Sequence, residues 1–182
     1  MDVARCRGPS GFTLIELLVT IAVVAILATL AVPSFQGVMM RNRAASEANQ
    51  VLSLLMLARS EAIKRNTSVS LCPSPDGVKC DPDQAWADGV MLFVDDDEDD
   101  EVGNGVRDSD AERVIEVVVP LSTVSTISPD KKIAEGFTYN ARGRLAGTGV
   151  GAAVITVRPK SGDSDYDRKV TIDAGGRVQI QS

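Results

Sequence analysis

One carboxylate, Glu16, lies in a segment that is otherwise apolar. The run that begins at Gly11 reads G-F-T-L-I-E-L-L-V-T-I-A-V-V-A-I-L-A and continues with apolar residues to Val32. An ionised carboxylate among lipid tails costs several kcal/mol unless another group pairs with it. A simple membrane anchor has no use for such a residue, so Glu16 is the first candidate for a functional group.

A second candidate for chemistry is the run of seven consecutive acids from Asp95 to Glu101. Oxygen-rich loops are what Ca²⁺ requires, and Asp95, Asp97 and Asp99 are the candidate ligands. The spacing does not fit an EF-hand, which needs a glycine at the sixth position of its loop and a glutamate at the twelfth. Uninterrupted acids more often form a solvated loop whose charges repel one another. We therefore predict a solvated loop without a metal, with a calcium site as the alternative.

No constellation of residues points to catalysis. The chain contains no histidine, which removes the commonest general base and metal ligand. The glycine-rich stretch 147–151 does not follow the pattern of a phosphate-binding loop. We therefore expect no enzymatic activity and no cofactor.

The element that positions Glu16 is predicted to be a transmembrane helix over residues 12–32. Its length matches the roughly 20 residues that cross a bilayer as a helix. Arg5 and Arg7 precede it, and basic flanks stay on the cytoplasmic side, so the chain after the helix would lie outside the cytoplasm. An ordinary secretory signal peptide is the alternative, but it needs small residues at a cleavage site, and residues 32–35 offer a poor one.

Residues 33–65 are predicted to continue the helix with an amphipathic pattern. Pro33 should kink or interrupt it, because proline lacks an N–H group and clashes with the preceding turn. Small and apolar residues then recur at spacings of three and four, which indicates one apolar helical face that packs on a sheet. These residues are Ala44, Ala45, Ala48, Val51, Leu52, Leu55, Ala58 and Ala62.

Residues 66–182 change in character and are predicted to form an antiparallel β-rich head. Short apolar segments alternate with turn signals rich in glycine and proline. Most of the connections are too short for the crossovers that parallel strands need. The predicted strands are residues 69–72, 90–94, 114–119, 137–139, 154–157 and 170–172. The sequence thus predicts an α+β fold in which one long N-terminal helix packs on an antiparallel head.

The segment that begins at Gly11 resembles the type III signal of type IV prepilins and type II secretion pseudopilins. In that family a prepilin peptidase removes the leader, here residues 1–11, by cutting between Gly11 and Phe12. The same enzyme N-methylates the new first residue, Phe12. The acid at the fifth mature position, here Glu16, takes part in assembly. The resemblance implies these roles.

The head also resembles a family, the GspH/FimT-type minor pilins and pseudopilins, and within it the FimU/FimT minor pilins of type IV pili. The resemblance implies a type IV pilin fold, low abundance in the filament and a role in starting or capping it. The segments that carry it are residues 57–66 and 69–72, Cys80, Trp86, Asp88-Gly89, residues 92–95 and residues 137–143.

Two cysteines of the head, Cys72 and Cys80, are predicted to form a structural disulfide, whereas Cys6 lies in the leader. Disulfides persist in the periplasm, where the head is expected to lie. Proline, glycine and aspartate between the two cysteines allow a close approach. A zinc site and a redox pair are the alternatives. The missing histidine and a spacing unlike C-x-x-C argue against both.

Basic residues near the C-terminus raise the possibility of DNA binding. Some FimT-like proteins are associated with DNA uptake through a G-R-x-R pattern, and here Arg177 matches its first arginine while Gln179 replaces the second. Arg142 and Arg144 add charge if the fold brings them close. From residue 66 onward, however, 12 basic residues face 21 acidic ones, a net charge of −9. Such a head repels phosphate backbones, so no nucleic acid is expected as a partner.

The sequence thus indicates a minor type IV pilin that helps to initiate or cap the pilus, supporting pilus biogenesis and twitching motility. The alternatives are an H-type minor pseudopilin of the type II secretion system and a DNA-binding pilin for natural transformation. The expected location is the bacterial inner membrane, with a single pass and a periplasmic head, and then a pilus or pseudopilus. The expected partners are the other minor pilins, the major pilin, the prepilin peptidase and the assembly platform of the inner membrane.

Overall fold

The described residues form one α-helix, two short 3-10 helices (Trp86–Asp88 and Ser164–Tyr166) and nine strands. The computed structural model describes residues 11–95, 105, 107, 112–146, 151–160 and 164–181, except for the side chains of residues 30–34. The chain divides into two compact units, Met1–Met39 and Met40–Ser182. Helix α1 spans Leu14–Arg65 and contributes to both. It is not interrupted at Pro33, since a proline removes one bond of the helical ladder and the turns on either side can still form.

The end of α1 is defined by local hydrogen bonds. Asn66 has a φ of 54°, the left-handed conformation that asparagine tolerates better than most residues. The N–H of Asn66 donates to the carbonyl of Ile63 at 3.3 Å, and that of Thr67 donates to Ala62 at 3.2 Å. This pair of bonds is a Schellman motif, which satisfies carbonyls that the end of a helix leaves without partners. The chain then turns directly into the first strand.

Two antiparallel sheets form the rest of the second unit. The first has the strand order β3-β2-β1-β5-β6 and the second the order β4-β7-β8-β9. All recorded pairings are antiparallel. The strands are β1 Val69–Pro73, β2 Val90–Val94, β3 Val114–Val118, β4 Ser125–Pro129, β5 Phe137–Tyr139, β6 Leu145–Ala146, β7 Ala153–Pro159, β8 Arg168–Ile172 and β9 Val178–Gln181. The α+β prediction, with a long helix packed on an antiparallel head, is confirmed.

Three strands were not predicted from the sequence. Strand β4 reads S-T-I-S-P, and Ile127 is its one large apolar residue. Strand β6 has two residues. Strand β9 reads V-Q-I-Q. Apolar and polar residues alternate in it, as in a half-buried strand, but it has only four residues. Their formation depends on pairing with neighbouring strands, because so few apolar side chains give a weak local signal.

The core of the second unit combines the apolar face of α1 with residues of both sheets. Ala48, Leu55, Ala58 and Ala62 are each 0% exposed and belong to one cluster with the strand residues. Of the predicted apolar face, Ala45 and Leu52 are half-buried. Alanine side chains let the helix backbone approach the sheet closely, so larger residues on this face would overfill the core.

Buried polar bonds add specificity to this packing. Trp86 stacks on Phe137 with ring centroids 6.1 Å apart, and its Nε1–H donates to the carbonyl of Ala134 at 2.9 Å. The Oγ–H of Ser122, in the connection between β3 and β4, donates to Oε1 of Glu47 on α1 at 2.6 Å. The bond between Ser122 and Glu47 holds the connection between β3 and β4 against α1. The bond between Trp86 and Ala134 joins the connections that precede β2 and β5.

Candidate functional site

The predicted processing and assembly residues lie at the start of α1. Thr13 caps the helix: its Oγ1 accepts the N–H of Glu16 at 3.3 Å, and its carbonyl accepts the N–H of Leu17 at 3.2 Å. Glu16 is therefore the third helical residue, in the first turn. Acids are favoured there because the unpaired N–H groups give this end of a helix a partial positive charge.

Gly11 lies before the helix, and none of the described residues packs closely against it. A β-carbon built on Gly11 would have no atom of the described residues within 4 Å. Phe12, the next residue, is 85% exposed. The described residues therefore give no packing reason for a glycine at position 11. Recognition by another protein is the reason that the predicted cleavage site would provide.

The apolar side chains that follow are largely uncovered within their own unit. Leu14 is 76% exposed and Ile15 66%. By length and hydropathy together, no helix in the described part of the chain qualifies as a membrane span. The span predicted for residues 12–32 is not confirmed and stays a prediction.

Cys72 and Cys80 form the predicted disulfide, with their Cα atoms 5.6 Å apart. The loop between them is also held by hydrogen bonds. Ser74 donates from its Oγ to the carbonyl of Lys79 at 2.7 Å, and Asp76 accepts the N–H groups of Val78 and Lys79 at 2.8 and 3.2 Å. These backbone bonds lower the pKa of the Asp76 carboxyl. The two cysteines are thus structural, and neither is available as a zinc ligand or a free thiol.

Asp95, a candidate calcium ligand, is buried and accepts hydrogen bonds from the protein itself. It is 1% exposed, and its Oδ2 accepts hydrogen bonds from the Oγ–H of Ser70 and from the N–H of Gly105, the latter at 2.8 Å. Ser70 is also bonded to Thr138 at 2.6 Å. Asp97 and Asp99 lie outside the described residues, and the described residues contain no cluster of three potential metal ligands. Ser70 and Gly105 both contact Oδ2 of this carboxylate, and the choice between a solvated loop and a calcium site stays a prediction.

The fold brings the turns that carry the three candidate DNA-binding arginines into contact. Asn140 accepts the N–H groups of Arg142 and Arg144 at 3.0 and 3.1 Å, which shapes the turn between β5 and β6. Asp173 accepts the N–H of Arg177 at 2.8 Å in the turn between β8 and β9. The two turns meet at Gly143 and Gly176.

Gly176 is needed for this contact. A β-carbon there would lie 2.0 Å from the carbonyl oxygen of Gly143 and 3.0 Å from the Tyr139 ring. Its φ of 76° is also a conformation that side chains with a β-carbon rarely adopt. The sequence places Gly176 beside Arg177, but it contains no signal that this turn packs against residues 140–144.

Arg59, which was not a sequence candidate, lies where α1 meets these turns. Its Nη2–H donates to the carbonyl of Gly175 at 3.1 Å. Tyr139 packs beneath the same region, and burial raises the pKa of its hydroxyl. On sequence alone Arg59 is one of several basic residues of a helix. Its role depends on a partner that lies 116 residues further along the chain.

A long N-terminal helix packed on an antiparallel head, with a capped acid in its first turn, defines the class of this protein: it has the type IV pilin fold. Residues 6–32 match the prokaryotic N-terminal methylation motif. Residues 47–176 match the family model described as type II transport protein GspH. That match covers more than half of the chain, and the chain therefore belongs to the GspH family of minor pilins and pseudopilins.

Two solved structures illustrate the fold. The type IV minor pilin FimU of Pseudomonas aeruginosa strain PAO1 is 20% identical, with a TM-score of 0.58 over 78% of this chain and 90% of that one. The minor pseudopilin EpsH of the type II secretion system of Vibrio cholerae is 13% identical, with a TM-score of 0.51 over 76% of this chain and 96% of that one. The same fold therefore occurs in a pilus and in a secretion system.

Proposed function

We propose that the chain is a minor type IV pilin that helps to initiate or cap the pilus and so supports twitching motility. The observation that carries this proposal is the methylation motif over residues 6–32 in the same chain as a GspH head. The described part of the head provides anchored turns and a disulfide. The disulfide and the hydrogen-bonded turns stabilise the head, as a structural subunit requires.

In this proposal the prepilin peptidase cuts between Gly11 and Phe12 and methylates Phe12. The exposure of both residues before the start of α1 suits access by an enzyme. After cleavage, Phe12 carries the terminal amine, and Thr13 remains available to cap the helix. Removal of the leader therefore leaves the first turn of the mature helix intact.

Glu16 then acts in assembly. Residues 12–32 hold the subunit in the inner membrane, with the head in the periplasm, and Glu16 pairs with the amine of Phe12 on a neighbouring subunit or on its own helix. A buried carboxylate is less unfavourable when a positive charge lies beside it. This pairing aligns an incoming subunit with the other minor pilins and the major pilin at the assembly platform.

Deletion of the gene in its native host, with complementation by the wild-type gene, tests the function. We expect loss of surface pili and of twitching, with normal secretion of type II substrates. If both processes are normal in the deletion strain, the proposal is wrong.

A minor pseudopilin of the type II secretion system is the second candidate. It is favoured by the match to the GspH family model and by the likeness to EpsH. The same deletion strain separates the two functions, because a pseudopilin predicts lost secretion with normal pili.

A further inference from the structure

A groove between the last turns of α1 and the start of β9 is not used by the proposed function. It has a volume of about 350 Å³, and we call it the α1–β9 groove. Its lining residues are Met56, Arg59, Ser60, Ile63, Gly176, Arg177 and Val178.

The floor of the α1–β9 groove is apolar and open to solvent. Met56 is 57% exposed and Ile63 is 51% exposed, although Leu55 and Ala62, the residues just before them on the same helix, are 0% exposed. Val178 is half-buried beside them. Covering such side chains is favourable by about 25 cal/mol for each Å² removed from water, so the floor favours an aliphatic side chain.

The rim of the groove is basic. Arg59 and Arg177 line it, and Arg142 and Arg144 are exposed on the adjoining turn. That turn touches the groove directly, since a β-carbon on Gly143 would lie 2.6 Å from Cδ1 of Ile63. Two guanidinium groups therefore border the apolar floor, and two more lie on the turn that adjoins it.

None of these four groups has a carboxylate partner among the described residues. The acids nearby have other partners: Glu61 pairs with Lys64 and Arg65, and Asp173 accepts the backbone N–H of Arg177. A backbone hydrogen bond leaves the charge of Asp173 in place. The four guanidinium groups outnumber this carboxylate, so the corner is locally basic in a head with a net charge of −9.

We propose that the α1–β9 groove binds an acidic segment of a partner protein in which a carboxylate lies next to a large aliphatic side chain. The aliphatic side chain packs against Met56 and Ile63. The carboxylate accepts hydrogen bonds from Arg177, whose planar guanidinium suits bidentate binding. The inference concerns the head and does not depend on the assignment to a pilus or a secretion system.

An acidic peptide fits this surface better than a nucleic acid. The long-range field of a head with a net charge of −9 repels both ligands, but it repels a phosphate backbone with one charge per nucleotide more strongly than a peptide with two carboxylates. Proteins that bind single strands commonly stack bases on aromatic side chains, and the residues that line the groove include no aromatic. A short peptide needs the local charge and the apolar floor, and both are present.

Fluorescence anisotropy with the full-length protein in detergent micelles tests the proposal. The probes are a labelled peptide Gly-Leu-Asp-Glu-Leu-Gly, the same peptide with Asn and Gln in place of the acids, and a short labelled single-stranded DNA. We expect the acidic peptide to bind and the amide peptide to bind at least about tenfold more weakly, because a hydrogen bond between charged groups is lost.

Variants locate the site. Arg177→Gln and Ile63→Ser should each weaken the acidic peptide, whereas Lys132→Gln, which removes the same charge at an exposed residue outside the groove, should not. Absence of peptide binding, an equal loss in Arg177→Gln and Lys132→Gln, or an oligonucleotide that binds more tightly than the acidic peptide would each overturn the proposal.

Discussion

Glu16 is the only acid between Asp2 and Glu47 in the chain, and it occupies the first turn of α1. A leucine at this position would suit an apolar surrounding better, since the cost of a charge among lipid tails would disappear. We propose that a residue that is unfavourable for insertion, but well placed at a capped helix start, is retained for an interaction with another charged group. The proposed interaction is pairing with an amine during assembly.

Replacement of this acid separates assembly from processing. We expect Glu16→Leu to be cleaved and inserted normally, because Gly11 and Phe12 are unchanged, and to be largely absent from sheared pili. Gly11→Val is the matched variant and should accumulate as the full-length precursor. Intact mass spectrometry of the membrane-extracted proteins, together with immunoblots of sheared pili, measures both effects.

Two outcomes would contradict this account. Normal amounts of Glu16→Leu in fibres, with normal piliation, would show that the acid does not act in assembly. A wild-type mature chain that begins anywhere other than at Phe12 would remove the prepilin assignment itself.

Gly176 gives a prediction that depends on its backbone conformation and on its packing against Gly143. Gly176→Ala places a β-carbon against the carbonyl of Gly143 and in a left-handed conformation. The conformation alone costs about 1–2 kcal/mol, and the two turns must also separate. We expect the free energy of unfolding to fall by about 2 kcal/mol or more.

The matched variant is Gly151→Ala, where a β-carbon would meet no atom of the described residues within 4 Å. Urea unfolding of both purified proteins provides the measurement. Equal stability of the two variants would show that the contact between the turns at Gly143 and Gly176 does not form.

The connection between β1 and β2 is the element that the disulfide constrains. Cys72 lies in β1, and the bond to Cys80 closes a short loop whose other bonds come from Ser74 and Asp76. Closing a loop of this length reduces the entropy of the unfolded chain, for a gain of about 2–3 kcal/mol.

We therefore expect the double variant Cys72→Ala, Cys80→Ala to lose about 2–3 kcal/mol of unfolding free energy. Reduction of the wild-type protein with dithiothreitol should reproduce the loss, whereas the same treatment should leave the double variant unchanged. Urea unfolding measures each state, and peptide mapping without reductant identifies the linked cysteines. Free thiols at both positions in exported protein would argue against the periplasmic location.

At the scale of elements, sequence patterns correctly predicted the strands and the helix face that have a regular local spacing of apolar residues. The predicted strand at residues 90–94 coincides with β2, and the small-residue face of α1 is the buried one. The patterns missed β4, β6 and β9, because each has few apolar residues and forms by pairing with a neighbour. They also suggested a kink or an interruption at Pro33, and the helix is not interrupted there.

The whole molecule is expected to be oriented across the inner membrane, with its leader inside and its head in the periplasm. Proteinase added to spheroplasts should degrade a C-terminally tagged head, and intact cells should protect it, because the outer membrane excludes the enzyme. A cytoplasmic protein that survives in the same spheroplasts is the control. A head that remains protected in spheroplasts would place it in the cytoplasm and would contradict the predicted topology.

At the scale of the whole molecule, the charges of the head are unevenly distributed, and the composition alone does not show this. The head carries a net charge of −9, and yet Arg59, Arg142, Arg144 and Arg177 gather at one corner. Counting charges predicted repulsion of nucleic acid. The contact between the two turns adds a local basic site, which suits a compact acidic partner.

The sequence alone determined the features that depend on neighbouring residues. The motif from Gly11 to Glu16 is contiguous, and Cys72 and Cys80 lie eight positions apart, so short-range patterns suffice to identify them. The tertiary structure decided which distant residues meet. Arg59 and Gly175 are 116 residues apart, and their contact requires α1, β8 and β9 to be packed together first. The α1–β9 groove follows from that packing, because a surface made by several elements has no counterpart in any single stretch of the chain.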